Sequence, residues 1–427
     1  MFTDEEAQEM QEKIKKWFAR HGFDYDNFSK RRWSIHRQNG NVTLDQYRCR
    51  LLHRYGQIIT TKTLIYLDLK FWINLRKVVL GNQQITEYAQ IYFLLKSAVE
   101  AGTAVCPLSF WIFEELIKQT DLNTRMATVR LIDELSSGVA FMAHGQIVRQ
   151  EVLHFIRKVT PQPENIKNWP IHECIWTRTA SFLGDKLPVW PITTFQASDQ
   201  LLIQKNIEDL NFFMPLEEFL SDLGIIPESD LYKGYNVDDI NQRKAAVRKQ
   251  HASFKSLFLA ELMHTIKENE EHWFEAMSYL HYLESGIDDA IDANKLTEIQ
   301  KLPARNLIWY GFEKNKITDE LPSYHIPAGL YAAASWDTNR HLTDNDVLDF
   351  HHAQLAIPYC DVFMTEVGLR TLVTGGNLRL DKIYNTIVIA DPQEALGYLQ
   401  DKWANLTERR SPILQELFQQ DTYARFA

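Results

Sequence analysis

The hydrophobic positions follow three different patterns along the chain. Residues 1–57 read as helices. They open on the acidic, amphipathic "MFTDEEAQEMQEKIKKW" and carry basic stretches, "SKRRWSIHR" and "QYRCRLLHRYG". From residue 58 short apolar runs alternate with amphipathic segments. Leu64–Leu67 is a continuous apolar run and predicts a buried strand. "QQITEYAQIYFLLKSAVEAG" predicts a helix closed by Gly102, "TAVCPLS" a short strand, "FWIFEELIKQ" and "TRMATVRLIDELSSG" helices, and "VAFMA" a third strand. Such βα alternation predicts a parallel sheet. Residues 156–335 lose it. Prolines cluster early ("PQPENIKNWP", "LPVWP"), and long helical segments follow. In "NQRKAAVRKQHASFKSLFLAELMHTIKENEEHW", Phe254, Leu257, Phe258, Leu262 and Ile266 recur three or four apart, a stripe best read as core packing.

From about residue 336 the βα pattern returns. "LTDNDVLDFHHAQLAI" predicts a helix, and "CDVFMT" and "NTIVIA" strands. "DPQEALGYLQDKW" predicts a closing helix with Asp391 as N-cap and Pro392 in its first position. The expected fold class is therefore α/β. A central parallel sheet is built from 58–155 and 336–427, split by a helical insertion over 156–335 and preceded by the helical region 1–57. No internal repeat or low-complexity segment interrupts it.

Composition narrows the class. Of 427 residues 45% are hydrophobic and 24% charged, with 11 Trp, 17 Tyr and 23 Phe to fill a large core. No apolar run approaches the roughly 18 residues that span a bilayer, so no membrane partner is expected. The acidic N-terminus is no secretion signal. Cys49, Cys106, Cys174 and Cys360 are scattered without CxxC spacing. That fits reduced thiols in a cytoplasm better than a disulfide or zinc framework.

Carboxylates stand where a parallel sheet would gather them. Asp68 ends the first strand. Glu114 and Glu115 lie in the helix after the second. Asp346 and Asp349 lie early in the helix before "CDVFMT"; Asp361 begins that strand and Glu366 follows it. Strand C-termini and helix N-termini can meet at one sheet edge. Gathered carboxylates repel unless a cation joins them, and oxygen ligands without grouped Cys or His favour Mg2+ or Mn2+. Each residue also has a plainer role: an Asp after a strand as turn or cap, "EE" as a solvated face, Asp346 as a capping partner of Thr343. His351 and His352 are about 100° apart on a helix, so both are not expected to face one ion.

Taken in order, these motifs resemble those of PIN-domain nucleases. "IYLDLKFW" matches the first acid, "CPLSFWIFEEL" the second, and "DFHHAQLAIPYCDVFMTE" the third and fourth. In that family a Ser often precedes the second acid in an "S…EL" pattern, which Ser109 and Glu115–Leu116 match, favouring Glu115 over Glu114. The third acid opens a helix with an Ala one turn on, matched by Asp349 and Ala353. The fourth follows a strand ending in Thr and is usually Asp. Here Thr365 is followed by Glu366, which leaves the fourth ligand open between Glu366 and Asp361. The resemblance covers roughly 58–155 and 336–400. It implies a Mg2+- or Mn2+-dependent endonuclease, most often acting on RNA and commonly a bacterial toxin or defence effector, with Asp68, Glu115, Asp349 and Asp361 or Glu366 as catalytic metal ligands. A non-catalytic PIN-like binding or scaffold protein and a DNA nuclease are the competing expectations.

Net charge is −10. Nucleic acid would then need a local basic patch. The densest candidates are Lys30, Arg31 and Arg32 beside Trp33, with Arg48, Arg50 and Arg54; Arg243, Lys244, Arg248 and Lys249 form a second group. The plain alternative is a solvated helix face or pairing with the acidic N-terminus. The helical regions could also carry a protein partner or a homo-oligomer contact.

Overall fold

A computed structural model describes residues 4–81, 86–159, 169–181, 197–223, 237–285, 295–403, 410–419 and 423. The apolar runs of both chain halves meet in one parallel sheet. Its strands are β1 (Thr63–Leu67), β2 (Ala104–Val105), β5 (Val362–Met364) and β6 (Ile387–Ile389), in the order β2-β1-β5-β6. Ile65 lies opposite Val362 and Leu67 opposite Met364, so strands about 300 residues apart in sequence share one register. Residues 64–67 of β1 and all of β5 are buried. Successive strand residues face opposite sides, so the sheet is covered on both faces, as an unbroken apolar run requires.

Two further strands, β3 (Val139–Phe141) and β4 (Trp176–Arg178), pair antiparallel, and a bridge between Leu108 and Ala140 joins β3 to the stretch that continues β2. The turn before β3 places Gly138 at φ +71°, and a β-carbon there would strike the Arg178 guanidinium. Arg178 donates to Ser137 O at 2.6 Å, fastening β4 to that turn.

Residues 1–57 form helices as expected: Asp4–Arg20, Tyr25–Gln38 and Leu44–Ile59. Thr343 and Asp346 cap helix Asp344–Tyr359 reciprocally, and the Asp391 carboxylate accepts from the Gln393 and Glu394 amides at the start of Pro392–Trp403.

The 156–335 region departs from expectation. It is not purely helical, because it supplies β4. The long helical segment is three helices, Val237–Gln250, Phe254–Glu268 and Glu270–Ser285. Ser253 breaks the first from the second by capping Ser256 N at 3.2 Å. Leu257, Leu262 and Ile266 are buried, so the stripe is core. Nor is the boundary clean. A second core unites Val152 and Phe155 of helix His144–Val159 with Leu262, Ile266, Trp273, Ile308 and Tyr324. Helix Pro322–Trp336 sends Ile326, Leu330 and Ala334 into the main core. The proline-rich stretches fall largely outside the described residues. Among the described residues no helix is long and apolar enough to cross a membrane.

Candidate active site at the carboxyl edge of the sheet

β1 connects toward β2 on one side, while β5 lies on its other side, so a crevice opens at the carboxyl ends of β1 and β5. Asp68 follows β1 directly and is 4% exposed. It occupies the N-cap position of helix Leu69–Val79 without making a capping bond. Its Oδ2 instead accepts from Thr365 Oγ1 at 2.9 Å, across the ends of β1 and β5. Glu366 comes next, exposed, at the N-cap position of helix Val367–Thr374. Asp349 and His352 lie one turn apart on helix Asp344–Tyr359 and share a face. Glu115 comes from helix Phe110–Ile117, whose start is fixed by Ser109 capping Ile112 N at 3.2 Å.

These groups feel one another. Burial raises the Asp68 pKa, and the Glu115 charge adds to the rise while His352 and the Thr365 hydrogen bond oppose it. Asp349 is pushed up to about 7, first by burial, then by Asp68, with Glu366 and Asp346 adding and His352 opposing. Among the described residues the counter-charge that opposes these shifts is His352. Burial works against its charged form, yet the Glu115 hydrogen bond and the charges of Glu115, Asp68 and Asp349 outweigh this and raise its pKa. Its Nε2 lies 3.1 Å from Glu115 Oε2, its Nδ1 2.7 Å from Tyr66 OH, and Tyr66 OH 2.6 Å from Ser109 Oγ. With the ring protonated, both its nitrogens donate, and the Tyr66 hydroxyl in turn donates to Ser109 Oγ.

Asp68, Glu115, Asp349 and Glu366 thus belong to one neighbourhood, and Asp361 does not. Asp361 precedes β5, at the amino edge, where its carboxylate accepts from Leu64 N at 2.8 Å and its amide donates to Leu64 O. The three residues of β5 stand between it and Thr365, four steps of the chain or about 13 Å. Asp361, expected as a catalytic and metal-binding acid, is therefore at the edge opposite the other candidates, and of the two residues left open it is Glu366 that lies beside them. Glu114 faces away and pairs with Lys118 at 3.4 Å. The histidines diverge: His351 stacks on Trp111, centroids 3.9 Å apart, and burial first, then His144 and His352, lower it to about 3. Of the two histidines, which were not both expected to face one ion, it is His352 that enters the site; Tyr66 was not expected there, and Thr365 was expected only as the strand end before the fourth acid. The available signal for His352 was its place one turn after Asp349.

As a cation site the donor types fit a hard divalent ion, since carboxylate oxygens dominate and the charge conflict at Asp349 is one that a cation relieves. Among the described residues, however, no group of three or more His, Cys, Asp or Glu is gathered tightly enough to hold a metal ion as it stands.

The expected basic patch is largely taken up by internal pairing. Arg32 is 1% exposed and binds Asp209 Oδ2 at 2.7 Å and Tyr47 OH at 2.7 Å. Arg48 pairs with Glu208, and Arg31 donates to Gln419 O at 2.9 Å. Arg50 and Arg54 are half-buried, and Lys30 is exposed. In the second group, Lys244 is buried against Arg340 O, Arg243 pairs with Asp239, and the Arg248 guanidinium lies 3.3 Å over the Trp336 ring.

No protein-family model, curated protein or solved structure matches the chain.

Proposed function

We propose that the chain is a divalent-metal-dependent endonuclease of PIN-like type that hydrolyses phosphodiester bonds, in RNA before DNA. One observation carries this reading. Acids from four separate stretches, Asp68, Glu115, Asp349 and Glu366, share the crevice where β1 and β5 part, with Asp349 pushed up to about 7, first by burial and then by Asp68. Their order along strands and helices is the one the resemblance implies. Asp68, Asp349 and Glu366 would hold Mg2+ or Mn2+, with Glu115 completing the set. A bound ion there supplies an acidified water and a positive charge facing the phosphodiester. The protein's own groups do the positioning. Thr365 fixes one oxygen of Asp68, and His352, itself held by Tyr66, fixes one oxygen of Glu115.

Mixed-sequence RNA and DNA incubated with Mg2+, Mn2+ or EDTA tests this. RNA is cut with either metal and spared in EDTA. Asp68→Asn and Asp349→Asn each lose about a hundredfold or more of the rate with circular dichroism unchanged. Full activity of Asp68→Asn, or cleavage in EDTA, overturns the assignment. The competing reading, a non-catalytic PIN-like protein, is favoured by Glu366 standing where the family has Asp, and by carboxylates that do not converge on a single point. Mn2+ uptake by the wild type, abolished in Asp349→Asn, decides against it.

A further inference from the structure

One face of helix Tyr25–Gln38 is built unlike the rest of the N-terminal region. Ser29, Lys30, Trp33, Ser34, Arg37 and Gln38 line an open cleft of about 510 Å3. On a 3.6-residue helix Lys30, Trp33, Ser34 and Arg37 project within about 100° of one another, and Lys30 and Arg37 stand about 10 Å apart along the axis with the indole between. The opposite face carries Phe28, Arg32 and His36 into the core. Among the described residues Lys30, Trp33 and Arg37 engage no ion pair, hydrogen bond or ring. Trp33 is partly exposed and lies outside the hydrophobic core. Asp26, one turn earlier on the same face, neither pairs with Lys30 nor lines the cleft.

We propose that this face binds single-stranded nucleic acid, an unpaired base stacking on Trp33 and flanking phosphates meeting Lys30 and Arg37. The inference rests on reading the chain as a nucleic-acid enzyme and names where the substrate strand is held. Two uncompensated cations complement phosphate on a chain of net charge −10. The indole adds the sequence-tolerant stacking that a single strand offers and a duplex does not. A membrane surface is disfavoured, because no aliphatic side chain lines the cleft beside Trp33. An acidic peptide would use the cations and leave the ring idle.

The test uses the full chain and a labelled mixed-sequence 20-mer, as RNA and as DNA, in EDTA so that no strand is cut. Binding is followed by fluorescence anisotropy across salt. Trp33→Ala weakens binding of the single strand about tenfold and that of the matching duplex little. Lys30→Gln with Arg37→Gln weakens both and lowers the slope of log affinity on log salt by about 1.4, at roughly 0.7 per lost contact. Unchanged affinity in both variants overturns the proposal. So does loss in the charge variant with none in Trp33→Ala, the pattern of an acidic-peptide or non-specific site. If the 20-mer binds through this face but is never cleaved, the nuclease reading fails and the binding face stands. If it is cleaved with these variants inert, the binding face alone fails.

Discussion

Asp209 and Asp349 are both acids withdrawn from water, and their surroundings drive them apart. Asp209 is 1% exposed. Burial alone would raise its pKa, but the Arg32 charge and the His36 hydrogen bond outweigh burial and hold it below the usual carboxylate range. Arg32 and His36 lie within 2.7 and 2.8 Å, Tyr47 donates as well, and His36 is tied through Nδ1 to Tyr423. Burial lowers the His36 pKa, with the Asp209 hydrogen bond and charge opposing, and Nε2 is the nitrogen that donates to the Asp209 carboxylate. At the sheet edge, desolvation of the same kind meets like charges, and Asp349 goes up to about 7. The difference is the supply of cations. Around Asp209 the chain provides its own, which makes a closed junction of the helices Tyr25–Gln38, Leu44–Ile59 and Ala197–Asn211. Around Asp349 the described residues set one imidazole, His352, against Asp68, Glu115, Asp349 and Glu366.

Breaking each region should therefore have opposite effects on stability. Arg32→Met strands a buried carboxylate and is expected to cost about 3–5 kcal/mol in urea denaturation. Asp349→Asn, measured in EDTA, removes a buried charge whose conflict with Asp68, Glu366 and Asp346 outweighs its attraction to His352, and stability is expected to hold or rise slightly. Equal losses in both variants would erase the distinction.

Glu151 sharpens the comparison, because among the described residues hydrogen-bond donors, and no cation, oppose its burial. It is fully buried on helix His144–Val159 and accepts from Ser323 N at 3.0 Å, Ser323 Oγ at 2.7 Å and Tyr359 OH at 2.5 Å. Burial nevertheless pushes it up to about 7, against those three bonds. Its folded pKa lies above its unfolded value of 4.5, so between those values the native chain keeps a proton that the unfolded chain has released. Stability then falls as pH rises from about 4.5 to 7, by about 3 kcal/mol from this group. Asp349 and Asp133, the latter raised to about 6 chiefly by burial, titrate in the same direction and window. Glu151→Gln isolates the share of Glu151. Denaturation at pH 5 and pH 8 should show a shallower decline in the variant than in the wild type. An identical decline would mean that Glu151 is charged throughout.

How much of the fold and site is legible in the sequence depends on the distance over which each feature is decided. The parallel sheet was readable because Leu64–Leu67 and "VFM" are unbroken apolar runs, and β1 and β5 need burial on both faces. Asp68 and Asp349 were candidates from their places after a strand and early in a helix, whereas Glu115 was preferred over Glu114 only through the resemblance and Glu366 stayed open against Asp361. Asp361 was misplaced by the length of one strand, since an acid before a parallel strand lies at the edge opposite an acid after it. Arg32 was misread because its partner Asp209 is 177 residues away. A local signal did exist: Phe28, Arg32 and His36 recur every four residues, the spacing of one buried face. β4 was missed because it has three residues inside a helical region and exists only as the partner of β3. The Tyr66–His352 link was out of reach, because it spans 286 residues and depends on a ring orientation.

That link carries the smallest expected effect. Tyr66→Phe removes one oxygen and keeps the ring, which packs near Phe141 and edge-on to Phe363. Ser109 Oγ and His352 Nδ1 then lose the hydroxyl at 2.6 and 2.7 Å, a loss of about 1 kcal/mol. If the hydroxyl only fills space with a satisfied bond, the effect ends there. If it orients His352, and His352 orients Glu115, more should change. Mn2+ affinity should fall up to about tenfold, since groups behind a ligand tune its hold on a metal. The Asp209 junction should be unaffected, with Arg32→Met costing the same in the Tyr66→Phe variant as in the wild type. Calorimetric Mn2+ titration of wild type and Tyr66→Phe reads this directly. Unchanged affinity beside a measurable loss of stability would make the hydroxyl a packing detail, and would leave Glu115 positioned by its own helix alone.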